Sequence, residues 1–209
     1  LILDGNLNER VYARDILHHI ANVYGAFPGR NLEWDGDAIA AMPMQGRFTL
    51  ATLSAELSAE FSLFRHDDIL RKYLNGRASK DYEPVDPDPD ATYDEVIRID
   101  ISKIEPLVVL PHKVAHNATE ANLLAETKID QAFIGSCANG RIEDFEVAAE
   151  IMSGRQVAPG VRMIVTPGSQ KVLQEALAKG YVETLMSAGA VVTNSTCGAC
   201  YGGHMGVLG

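Results

Sequence analysis

Three cysteines carry the distinctive chemistry of this 209-residue chain: Cys137 in IGSCANGRIED, and Cys197 with Cys200 in NSTCGACYGGHMG. Three thiols cannot all pair within one chain, and sixty residues separate the first from the other two, unlike the dense even pattern of a small secreted scaffold. Small residues crowd them (Gly135, Ser136, Ala138, Gly140, Gly198, Ala199, Gly202, Gly203). Such a lining lets backbone approach a bulky inorganic centre and turn N–H groups toward its sulfides. Cubane iron–sulfur clusters usually take four thiolates, so three leave one iron with an open, Lewis-acidic position. Such an iron polarises a substrate C–O bond while a base removes the proton on the neighbouring carbon, giving dehydration or hydration without net redox change. The Cys-x-x-Cys spacing is less specific than this chemistry. On spacing alone a thioredoxin-like dithiol, a zinc site completed by His204 and a pair of idle buried thiols stay open.

The elements around the cysteines explain how they meet. AFIGS before Cys137 and GAVVTNST before Cys197 read as apolar strands running into small-residue turns, and VRMIVTPGS between them reads as a third strand. Helical spacing covers 142–152 and 170–179, so strands alternate with helices in the βαβα rhythm of an α/β layer with mostly parallel strands. Open α/β sheets gather ligands at the carboxyl ends of their strands, where all three cysteines fall.

The first part has another texture. LIL opens as the tail of a strand; Val11 to Tyr24 places Ile16, Leu17, Ile20, Val23 and Tyr24 at helical spacing with Gly25 as the stop. The spacing of Leu50, Leu53, Leu57, Phe61 and Phe64 predicts one long helix from about Arg47 to Phe64, and Asp67 and Asp68 precede a helix over 69–74. Between Tyr82 and Glu95, three prolines and six acids cannot pack as core and predict an exposed linker. The expected organisation is a smaller α/β domain over 1–81, an acidic Pro-rich linker over 82–90, and a cluster-bearing α/β domain over 91–209, with PLVVLP a short strand within it.

A net charge of -10 offers no basic field for nucleic acid. No run reaches the ~18 apolar residues of a spanning helix, and the opening LILDGNLNERVYARD carries acids too early for a secretory signal, which predicts a soluble, cytoplasmic protein with no membrane partner.

The stretch from Lys128 to Leu208, with IDQAFIGSCANGRIEDFEVAAEIMSGRQVAPGVRMIVTPGSQ and AGAVVTNSTCGACYGGHMGVL, resembles the cluster-binding region of the aconitase superfamily, in the branch of 3-isopropylmalate dehydratase and homoaconitase large subunits. VYARDILHHIANVYG and EWDGDAIAAMPMQGRFTLATLSAELSAE are similar to the family's second domain. The resemblance implies three-layer aconitase-like α/β domains and a [4Fe–4S] cluster on Cys137, Cys197 and Cys200. It implies a hydro-lyase that dehydrates and rehydrates a 2-hydroxy acid such as 3-isopropylmalate through an alkene, with homoaconitase or aconitase-type hydratase as the alternative. A non-catalytic metal-binding module using the same thiolates is the reading from another class.

By the same likeness Glu56 is a catalytic residue, with Thr52 standing where the family usually has Asn. Asn139 would contact a cluster sulfide or a substrate carboxylate, with Ala138 in place of the family's usual Thr. His112 and His116 lie in the loop that in the family leads toward the active-site face. The family's catalytic His and Asp before this region and its arginines after the last cysteine have no counterpart here, and its serine base resides in a swivelling domain on a separate small subunit. The chain is accordingly expected to be a portion of a large subunit, inactive alone, with that small subunit and a small carboxylate substrate as partners.

Overall fold

The computed structural model describes residues 1–202 and 205. It divides into two compact units, Leu1–Ala125 and Glu126–Gly209. The acidic stretch of 82–90 lies within the first of these units. The acidic stretch is exposed and without regular structure as expected, yet the chain returns from it to the first unit: the next strand pairs with the first.

In the first unit, β1 (Ile2–Asp4) leads to α1 (Ala13–Tyr24). The apolar stripe of α1 buries Ile16, Leu17, Ile20 and Ala21, and the helix ends at Gly25, whose N–H bonds to the Ala21 carbonyl. Then come β2 (Asn31–Trp34), α2 (Asp37–Ala41), α3 (Met44–Leu53), β3 (Phe61–Phe64), α4 (Asp68–Leu74), β4 (Arg98–Asp100), β5 (Leu107–Val109) and β6 (Ala118–Glu120). β1 pairs parallel with β4, β2 pairs parallel with β3, and β5 and β6 form an antiparallel hairpin. Leu3, Ile16, Leu17, Ile20, Trp34, Leu50, Leu57 and Ile104 are fully buried.

The long helix expected to reach Phe64 stops at Leu53 and continues as a 3-10 turn over Ser54–Leu57. Ser58 at φ 60° breaks it, and Phe61–Phe64 is a strand. Leu57, Phe61 and Phe64 keep helical spacing by coincidence. In the strand Ser62 and Phe64 turn inward, where Ser62 accepts from Trp34 Nε1 at 2.7 Å and Phe64 stacks on Trp34, while Phe61 and Leu63 stay exposed.

α3 carries the first unit's buried ion pair. Arg47 is 2% exposed; its Nη1 and Nη2 grip Asp67 Oδ1 and Oδ2 at 2.9 and 2.5 Å. Its Nε donates to the Met42 carbonyl at 3.1 Å and its Nη2 to the Ile39 carbonyl at 3.0 Å. Asp67 also caps α4, accepting from the Leu70 N–H at 2.9 Å, so one guanidinium ties the end of α2 to the start of α4.

The second unit is a three-stranded parallel sheet in the order β7 (Gln131–Gly135), β8 (Arg162–Thr166), β9 (Val191–Val192). Its helices are α5 (Ser136–Asn139), α6 (Ile142–Met152), α7 (Gln170–Ala178) and α8 (Tyr181–Ser187). Phe145, Ala148 and Ala149 of α6, Ala176 of α7, and Val182 and Leu185 of α8 pack with Met163 and Val165 into one core. Parallel strands with helical crossovers give the α/β architecture expected from the sequence.

Candidate metal centre

Both cysteine loops rest on the carboxyl end of β8. Leaving β7, Gly135 takes φ 131°, and a Cβ there would stand 1.9 Å from the Thr166 carbonyl oxygen. Ser136 follows at φ 64° and is buried, and Cys137 is exposed on the single turn of α5. Beyond β9, the loop of Cys197 and Cys200 closes on itself, with the Cys200 N–H bonded to the Cys197 carbonyl at 3.1 Å. A Cβ at Gly198 would stand 2.9 Å from Phe133 Cε2 and 3.0 Å from Thr166 Oγ1. Thr166 is fully buried, and its Oγ1 lies 2.9 Å from that of Thr193. Glycine is thus required where the first thiol turn meets β8 and where the second thiol loop meets β7 and β8.

All three thiols are free and exposed. Among the described residues, no three His, Cys, Asp or Glu side chains gather into a group that could hold a metal ion. The donor chemistry nevertheless fits an iron–sulfur cluster: three unpaired thiols on glycine-tight loops around one strand end. The same loop also holds the buried Ser195 Oγ, which has no hydrogen-bond partner among the described residues. Cys137, Cys197 and Cys200 are the side chains that would hold it. His204, the nitrogen a zinc alternative needs, lies outside the described residues.

Asn139 ends α5 beside Cys137. Its Nδ2 donates to Asp144 Oδ1 at 3.2 Å; Asp144 Oδ2 accepts the Arg141 N–H at 2.9 Å; and Arg141 Nη2 donates to the Cys137 carbonyl at 2.8 Å. Arg141 and Asp144 are not among the site residues that the sequence pattern singles out. The available signal is an acid three residues after the N-cap Arg141, the capping position that Asp144 occupies in α6.

Glu56 belongs to the first unit, exposed on the 3-10 turn that extends α3. Ser54 beside it donates to the Leu50 carbonyl at 2.7 Å and lies 3.1 Å from Ser62 Oγ, which fixes the turn against β3. His116, at φ 54°, caps α1: its N–H bonds to the Ala21 carbonyl at 3.0 Å and its Nδ1 lies 2.8 Å from the Asn22 carbonyl. Its contacts are those of a helix stop. His112 is exposed at φ 84°. Burial pushes the His18 imidazole down to about 4, aided by the charge of Arg14 and opposed by Asp15 and a hydrogen bond to the Leu107 backbone.

The second unit is thus an α/β layer that presents three free thiols near its strand ends, and comparison with known sequences places the chain further. The model of the Aconitase family (aconitate hydratase) matches residues 1–123 and 112–208, and the chain belongs to this family. The 3-isopropylmalate dehydratase large subunit of Mycolicibacterium smegmatis is 47% identical over 207 residues, covering 99% of this chain and 49% of that protein. The protein of the same name from Moorella thermoacetica is 44% identical over 206 residues, covering 98% and 49%. The chain thus spans about half the length of the curated relatives it matches. The holo-form of Thermococcus kodakaraensis aconitase X shares 13% identity at a TM-score of 0.47, covering 94% of this chain and 43% of that one. No helix among the described residues is long and apolar enough to cross a membrane.

Proposed function

We propose that this chain is the cluster-bearing portion of an iron–sulfur hydro-lyase that dehydrates and rehydrates a 2-hydroxy acid, 3-isopropylmalate first among them and homoaconitate or citrate next. The observation that carries this reading is the packing of the Cys137 turn and the Cys197–Cys200 loop against Thr166 at the end of β8. The names of the relatives support the substrate. A [4Fe–4S] cluster held by three thiolates supplies a Lewis-acidic iron with an open position when bound.

The chain's own residues have narrower tasks. Gly135 and Gly198 let the thiol loops approach the strand ends. The Asn139 amide stands beside Cys137 with its NH2 shared between Asp144 and the substrate carboxylate, which it orients, and the Glu56 carboxylate handles a proton. The small subunit of such an enzyme brings the serine base on its swivelling domain, so the portion here is inactive alone and works in the cytoplasm with that partner. The acidic surface suits neither nucleic acid nor a membrane.

Anaerobic reconstitution with iron and sulfide tests the reading, followed by metal and sulfide analysis and electron paramagnetic resonance beside Cys137→Ser. A cubane that forms in the wild type and fails in the variant supports it; adding the small subunit and substrate should then give oxygen-sensitive turnover. Zinc bound in place of a cluster would refute it and leave a non-catalytic metal module.

A further inference from the structure

Asp144 bonds both to Asn139 and to Arg141, two of the residues that join the first thiol to α6. A carboxylate only accepts, so Asp144 fixes which end of the Asn139 amide turns toward α6: the NH2 faces the helix. Its other oxygen holds the Arg141 N–H, and Arg141 in turn grips the Cys137 carbonyl. Capping α6 requires the Arg141 N–H bond alone; the contacts reaching Asn139 and Cys137 exceed what a helix cap needs. We propose that Asp144 is a positioning residue for the Cys137 turn. It sets the orientation of the Asn139 amide directly and, through Arg141, the backbone that carries the first thiol. The inference rests on reading Cys137 as a cluster ligand and deepens it by naming the residue that aims the ligand.

Asp144→Asn separates the two roles. The amide keeps one oxygen to cap α6, but its NH2 meets the NH2 of Asn139, and one of the two must rotate away. The test needs no cluster: alkylation rates at Cys137, Cys197 and Cys200 are measured by mass spectrometry with iodoacetamide in the cluster-free full chain. Asp144→Asn and Arg141→Gln should each accelerate Cys137 by about five-fold, the population change that one hydrogen bond of ordinary net strength allows. Cys197 and Cys200 should keep their rates.

A purely electrostatic effect gives opposite signs, because removing the acid favours the thiolate and removing the guanidinium disfavours it. Opposite signs, or an unchanged Cys137 rate in both variants at unchanged melting temperature, would overturn the proposal. Should Asp144→Asn fail to fold, Arg141→Gln decides, since it leaves the α6 cap intact. A failed iron–sulfur reconstitution would sink the cluster reading and leave the alkylation result standing.

Discussion

Replacing Asp67 by Asn should cost the first unit about 2–3 kcal/mol. Arg47 is 2% exposed and makes two of its four hydrogen bonds to Asp67, so the variant leaves a buried guanidinium facing a neutral amide. Breaking a fully buried pair costs about 3–5 kcal/mol; the Asp67 side chain is 33% exposed, so water replaces part of what is lost and the figure falls below that range, to about 2–3 kcal/mol. Asn remains a good helix cap, so Asp67→Ala should lose about 1 kcal/mol more through the bond to the Leu70 N–H. For a unit of this size, 2–3 kcal/mol corresponds to a melting shift of about 6–12 °C, readable by circular dichroism.

The pH dependence supplies a second check. The Arg47 hydrogen bond, chiefly, holds the Asp67 carboxyl below its ordinary value of 3.8. A depressed folded pKa means the stabilisation is complete above the unfolded value and is lost as the pH falls through the folded one. The gap between wild type and Asp67→Asn should therefore be constant near neutrality and shrink below pH 3.8. A variant within about 0.5 kcal/mol of wild type at pH 7, the range of an ordinary surface substitution, would refute the reasoning.

Gly135→Ala places a Cβ 1.9 Å from the Thr166 carbonyl at φ 131°. It should destabilise the second unit by about 3 kcal/mol or more, seen as loss of its unfolding transition or of soluble yield. His18 should titrate near pH 4 by NMR; because its folded value is depressed from 6.5, its stabilisation is complete above 6.5 and lost as the pH falls toward 4, and His18→Gln should flatten that slope. The Tyr181 phenol, pushed up to about 12 first by its hydrogen bond to Glu146, should ionise late in an ultraviolet titration and return toward 10 in Glu146→Gln.

The parts of the fold that could be read from the sequence were those where local signals agree. The stripe of α1 with its Gly25 stop, the Asp67 start of α4, and α6 over 142–152 all fall where spacing and capping put them. β3 was missed because Leu57, Phe61 and Phe64 fit a helix, and only the left-handed Ser58 separates the two readings. α8 was passed over as well; Gly180 in the left-handed region parts it from α7 within one apolar stretch. The composition break of the acidic stretch marks exposure, while the pairing of β4 with β1 at the other end of the unit is set by tertiary packing that composition does not encode. The strand-end position of the thiols was legible. How closely the three sulfurs approach is set by loop conformation, which strand patterns do not encode.

The register of β1 on β4 bears on how the chain is made. Ile2 aligns with Arg98, so the first strand leaves the ribosome long before its partner exists. At about 5–20 residues per second, roughly 5–20 s pass between their synthesis. Meanwhile Leu3 can bond to Asp35, whose carbonyl accepts its N–H at 2.8 Å, but not to its strand partner Ile99. An apolar strand waiting that long keeps one edge open, and slowing translation across the acidic stretch would lengthen its exposure.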